Sequence, residues 1–145
     1  MRQVIIGPGD YQRDEYEIGA TDIEPGHLVE VTSAGQVVPH STANGPAAGA
    51  FAIEDRDVGK TVEDTYVAAD DENVHVGYPQ NGTLIPNAWL ADGESVDPGD
   101  LLVSNGDGTL QAYVAADAES GMVVAVAEES VAASGSDERV EVRSV

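Results

Sequence analysis

The 145-residue chain contains no cysteine, one lysine (Lys60), five arginines, one phenylalanine and one tryptophan. Without cysteine, neither a disulfide framework nor a thiolate metal site can form. With six basic residues against 27 acidic ones, a net charge of -21, the chain has too little positive charge to displace counterions from a phosphate backbone. Nucleic acid is therefore not expected as a partner. No apolar run approaches the ~20 residues a spanning helix needs, so no membrane is expected either. The N-terminus lacks the basic-then-apolar signature of an export signal, and none is expected.

What is abundant is acid. A chain this acidic could be a solvated disordered segment. Against that, Leu, Ile, Val and Phe make up 33 of the 145 residues and alternate as in strands, enough to close a modest core. At molar salt the Debye length falls to about 3 Å, so self-repulsion is screened and carboxylates act as hydrated solubilising groups. Scarce lysine, scarce aromatics and a Val/Ala core together point to a protein adapted to brine.

Sixteen glycines and seven prolines cut the chain into short Val-rich segments, the pattern of an all-β sandwich or barrel. Strands are expected at 27–32, 36–40, 50–54, 73–78, 95–104, 109–113, 122–127 and 139–145. Ser33-Ala34-Gly35 and Asn105-Gly106-Asp107-Gly108 supply hairpin turns, and Asn81-Gly82 is a further two-residue turn candidate. Asn81-Gly82-Thr83 is also an N-glycosylation sequon. Helix remains an option within 60–76, 109–120 and 122–134; in the last the Val cluster favours a strand.

Two stretches repeat. "IEPGHLVEVTSAGQV" from Ile23 and "VDPGDLLVSNGDGTL" from Val96 match at an offset of 73, Pro25-Gly26 meeting Pro98-Gly99 and Gly35 meeting Gly108. Each is followed by an apolar segment ending in acid. The expected fold is a small β-barrel or sandwich built from two pseudo-repeated β units, about 23–54 and 96–128. Residues 1–21 read as an N-terminal arm ahead of a single β domain, 22–145.

Chemical motifs are sparse. "VGKT" (Val58–Thr61) has Glu54 where a phosphate loop needs glycine, so it is not one. His27, His40 and His75 are far apart and read as surface or half-buried strand histidines. "NGDGT" (Asn105–Thr109) holds half of a calcium-loop pattern and reads better as a turn. The acids of Asp55–Asp57 and Ala69–Glu72 suggest only adventitious cation binding. No nucleophile elbow exists, and an enzyme is not expected; neither is a cofactor or a structural metal. Tyr11, Arg13 and Tyr16, with Arg2, give the N-terminal segment the aromatic and arginine content of an interface anchor. Trp89 with Tyr78 offers an alternative function, a stacking platform in a carbohydrate-binding module.

"AWLADGESVDPGDLLVSNGDGTL" (Ala88–Leu110), followed by "GMVVAVAEE", resembles a run found in head decoration, or capsid cement, proteins of tailed bacteriophages. The earlier "PGHLVEVTSAGQVVPHSTANGPAAGAFAIED" and "GKTVEDTYVAADDENVHV" resemble the same family, and the likeness runs from about Asp22 to Val145. It implies a β-rich structural protein on the outer surface of the virion. Its partners would be the major capsid protein and itself, as a homotrimer. The family has no catalytic residues to carry over. The acidity, greater than in the phage relatives, would place the host among the haloarchaea.

Overall fold

The computed structural model describes residues 3–5, 11–115 and 122–145. These residues hold twelve strands and two single-turn 3₁₀ segments, and ten of the strands form two closed five-stranded barrels in tandem. The first barrel takes β1 (Gln12–Ile18), β2 (Leu28–Val31), β3 (Gln36–Pro39), β4 (Ala50–Ala52) and β5 (Asn73–Tyr78). The second takes β6 (Leu84–Leu90), β8 (Leu101–Ser104), β9 (Leu110–Ala112), β10 (Ala125–Ala127) and β12 (Glu138–Ser144). A two-stranded ribbon, β7 (Ser95–Val96) with β11 (Val131–Ala132), flanks the second barrel. The all-β, two-unit architecture expected from the turn spacing is the one observed.

The two barrels share one wiring. In each, the first strand lies parallel to the third and antiparallel to the last, and the second pairs with both third and fourth. Hydrogen bonds repeat as well. Gly26 N donates to Ala52 O at 2.8 Å and Gly99 N to Ala127 O at 2.9 Å. His40 N donates to Leu28 O as Tyr113 N donates to Leu101 O, both at 2.8 Å. The Ile23–Tyr66 bridge is the counterpart of the Val96–Val131 pairing. The repeat therefore extends well beyond the 23–54 and 96–128 stretches: β1 corresponds to β6, and β5 to β12.

This corrects the reading of residues 1–21 as an arm. Gln12–Ile18 is β1, joined to β5 over six residue pairs and closing the first barrel. Its outward face is Arg13, Glu15 and Glu17, and its inward face is Asp14, Tyr16 and Ile18. Only Ile18 is fully buried, so the two-residue period is written in charge and not in apolar residues. The second unexpected strand, β6, carries Pro86 at the register shift opposite Val140–Val142, where a missing N–H leaves no ladder bond unmade. Asn81-Gly82 does form a turn, with Gly82 at φ +85°, but the strands on either side belong to different barrels. It is the crossover between units and not a hairpin.

Side chains from alternate positions fill the barrels. Ile18, Ile23, Val29, Val37, Val74 and Val76 line the first, around Tyr66, whose hydroxyl donates to Ile53 O at 2.6 Å. The outward-facing Leu28, Phe51 and Ile53 belong instead to the core cluster that holds the second barrel's Leu90, Leu102, Leu110 and Val142. Fully burying each such side chain contributes roughly 1.5–3 kcal/mol. The two units are thus joined by a shared apolar core.

Polar ties reinforce that seam. Leu28 N donates to Gly108 O (2.8 Å), Asn44 N to Ser104 O (3.0 Å) and Trp89 Nε1 to Pro25 O (3.0 Å). His27 sits in the seam, its Nδ1 accepting from Glu24 N at 3.2 Å. Burial lowers its pKa from 6.5 to about 4, against the opposing pull of Asp107 and Asp137 and with Arg139 adding to the depression. Between these two values the unfolded chain takes up a proton that the folded one refuses. Stability is therefore lost as pH falls from 6.5 to 4, by about 3 kcal/mol for this residue. Urea unfolding of His27→Gln and the parent at pH 7 and pH 4 should show the parent losing more stability by that margin.

Candidate functional site

The richest polar cluster among the described residues surrounds His75 on β5. The imidazole is 7% exposed, with Nε2 3.0 Å from Glu15 Oε1 and 3.3 Å from Asp55 Oδ2. Arg13 Nη2 approaches Nδ1 at 3.2 Å. Arginine can only donate, so Nδ1 accepts, and the proton sits on Nε2, facing the two carboxylates. β1 presents Arg13 and Glu15 two residues apart on its outer face, and β5 lies alongside with Glu15 opposite His75. Asp55 and Asp57 arrive from the 3₁₀ turn at Arg56–Val58, where Asp55 caps Asp57 N at 3.1 Å. Next to them Lys60 pairs with Glu72, and that hydrogen bond holds the Glu72 carboxyl below its ordinary range.

Glu15, Asp57 and His75 place one ligand atom each within 4.8 Å of one another, the reach of a divalent cation. The partner of the far ring nitrogen argues against a ready-made centre. A metal-bound histidine donates its other N–H to an acceptor, whereas here that nitrogen receives a guanidinium donor. The cluster is better described as an ion network that fixes β1 against β5.

A second arrangement superficially resembles a hydrolase. Ser104 Oγ lies 2.6 Å from His40 Nδ1, and His40 Nε2 lies 3.7 Å from Glu30 Oε2. Yet Nε2 is 2.8 Å from Pro46 O, to which it donates, and Ser104 is completely buried. No substrate reaches that hydroxyl. The group ties β3 to β8 across the seam.

The residues expected to bind a partner do not converge. Tyr11 packs on the core beside Gly77, Arg13 engages His75, and Tyr16 turns into the barrel mouth, its hydroxyl 2.7 Å from that of Tyr78. Arg2 lies outside the described residues. Trp89 and Tyr78 form no platform: they belong to different barrels, and the Arg139 guanidinium covers the indole at 3.9 Å. His40 and His75 are buried more deeply than expected, while His27 is half-buried as expected; each has its own partners. The half calcium loop is a turn in which Asp107 Oδ1 accepts from Asn105 Nδ2, Thr109 N and Thr109 Oγ1. Burial pushes the Asp107 carboxyl up, but these bonds prevail and hold it below its usual range.

The His75 cluster was missed because its members lie up to 62 positions apart in sequence, from Arg13 to His75. Only the "DRD" acids hinted at it.

Fold and sites together define a tandem-barrel β protein whose polar clusters brace strands and seams. No protein-family model and no curated protein matches the chain. Among solved structures it is similar to the N base of the head fibre gp8.5 of bacteriophage phi29, with a TM-score of 0.56 at 12% identity, over 92% of this chain and 95% of that one. At that identity the likeness is one of fold, and it spans both barrels.

Proposed function

We propose that the chain is a structural virion protein that binds the outside of the assembled head of a halophilic tailed virus and stabilises it. The observation that carries this reading is the end-to-end fold likeness to a phage head fibre base. The resemblance of residues 22–145 to head decoration proteins, reached from sequence, points the same way. The interior is consistent with a role without chemistry: the Ser104–His40 pair is sealed, and the charged cluster at His75 braces β1 against β5. The net charge of -21 suits a surface bathed in brine. The partners are the major capsid protein and further copies of the chain, as a homotrimer.

The mechanism is mass action. A subunit that binds only the assembled lattice stabilises it by its binding free energy, repeated over many copies. A closed-barrel block has little backbone left to order on docking, so little of that free energy is lost.

Quantitative mass spectrometry of purified virions should find the chain in fixed ratio to the major capsid protein. Protease treatment of intact particles should remove it while the interior proteins survive. Its absence from virions, or protection equal to that of interior proteins, would refute the proposal.

A further inference from the structure

The internal repeat lets each surface of one barrel be compared with its counterpart on the other. The barrels do not meet face to like face. On the first barrel the seam uses Leu28, His40, Ala47 and Phe51, which are 0, 1, 8 and 0% exposed. Their counterparts on the second barrel are Leu101, Tyr113, Met122 and Val126. Register and hydrogen bonds fix the assignment: Leu28 pairs with Phe51 as Leu101 pairs with Val126, and His40 N bonds Leu28 O as Tyr113 N bonds Leu101 O. On this face Leu101 is 41% and Met122 55% exposed.

The receiving side shows the complementary pattern. On the second barrel the seam uses Gly108, whose carbonyl accepts from Leu28 N and whose α-carbon abuts His27 and Pro39. It also uses Ser104, fully buried against His40. Their counterparts on the first barrel are Gly35, with open space where a side chain would stand, and Val31, 42% exposed. Each chain therefore carries a second copy of both halves of this contact, with Leu101, Met122 and Val31 exposed.

We infer that a second copy of this chain docks through that second pair, the Leu101–Met122 face of one copy seating on the Val31–Gly35 face of the next. The contact repeats the internal seam between molecules. It is heterologous, head to tail, and its repetition gives a ring or a filament according to the rotation at each step. Leu101 N and Gly35 O take the places of Leu28 N and Gly108 O. Where the internal seam has His27 and Trp89, the new one has Asp100 and Glu17, so like charges meet at its rim. Association is therefore weak in dilute buffer and strengthens with salt. The inference specifies the self-association proposed above, but its test needs no virus: failure in solution leaves capsid binding standing, and absence from virions leaves the seam standing.

The experiment is sedimentation velocity of the full chain in molar potassium chloride, with Leu101→Glu and Val31→Glu variants. Both positions are exposed, and Trp89 near-UV dichroism verifies folding. The parent should self-associate, each variant alone should be monomeric, and an equimolar mixture should form dimers, because one intact pair of faces remains between them. A monomeric parent, variants that associate like the parent, a Val31→Glu protein that still associates while Leu101→Glu does not, or a mixture that stays monomeric would each overturn the inference.

Discussion

Gly26→Ala should destabilise the protein by about 3–5 kcal/mol, while Gly99→Ala, the same substitution at the matching turn, should cost only about 1–2. Both glycines hold left-handed backbone, at φ +101° and +95°, so both substitutions carry the strain of an L-residue there. The difference lies in what surrounds them. A methyl group on Gly26 would collide with the Asn87 carbonyl and the Arg139 guanidinium, whereas one on Gly99 meets nothing within 4 Å. The Asn87 carbonyl is backbone within β6 and cannot move aside without disturbing the barrel. Urea unfolding midpoints of the two variants at constant salt measure the contrast directly. Equal losses would mean that the barrels are not seated against each other as described.

Arg139→Met should cost about 3 kcal/mol or more, with Arg139→Lys recovering only a minor part. One guanidinium donates to Pro25 O at 2.6 Å, Asn87 O at 2.7 Å and Val62 O at 2.6 Å, and its plane lies 3.9 Å over Trp89. It thereby joins β12 and β6 of the second barrel to two loops of the first. Methionine fills the stem's volume but leaves those carbonyls without their donor. A lysine reaches one carbonyl at a time and lacks the flat surface that stacks on indole. Denaturation followed by Trp89 fluorescence reports the loss, and a change below 1 kcal/mol would show that this clamp is incidental.

Much of the fold was legible because turn chemistry is local. Pro25-Gly26 and Pro98-Gly99 mark corners whatever surrounds them, and both glycines take the positive φ that the motif requires. Strands β2, β3, β5, β8 and β9 fall where Val and Leu runs sit between such corners. What stayed hidden was written in charges or in distant pairings. β1 alternates acid and Arg against Tyr and Ile, a period visible only once its partner strand is known. β6 contains Pro86, which argues against a strand until a bulge accommodates it.

The same limit applies to function-bearing residues. Tyr11, Arg13 and Tyr16 are neighbours in sequence, but strand alternation and the turn into β1 send them to different places, on the core, at His75 and at Tyr78. His75 and Glu15 are far apart in sequence and become neighbours through one antiparallel register. The seam's polar ties, His40 to Ser104 and Trp89 to Pro25, each span 64 positions and depend on how the barrels dock.

The most direct test of a two-barrel block fixed to the outside of a virus head is cryo-electron microscopy of the purified virion. The expected map shows paired five-stranded barrels, joined along the Leu28–Gly108 seam, sitting at repeated positions on the outer face of the capsid lattice. A complete map of intact particles with no such density, or with it inside the shell, would contradict the account.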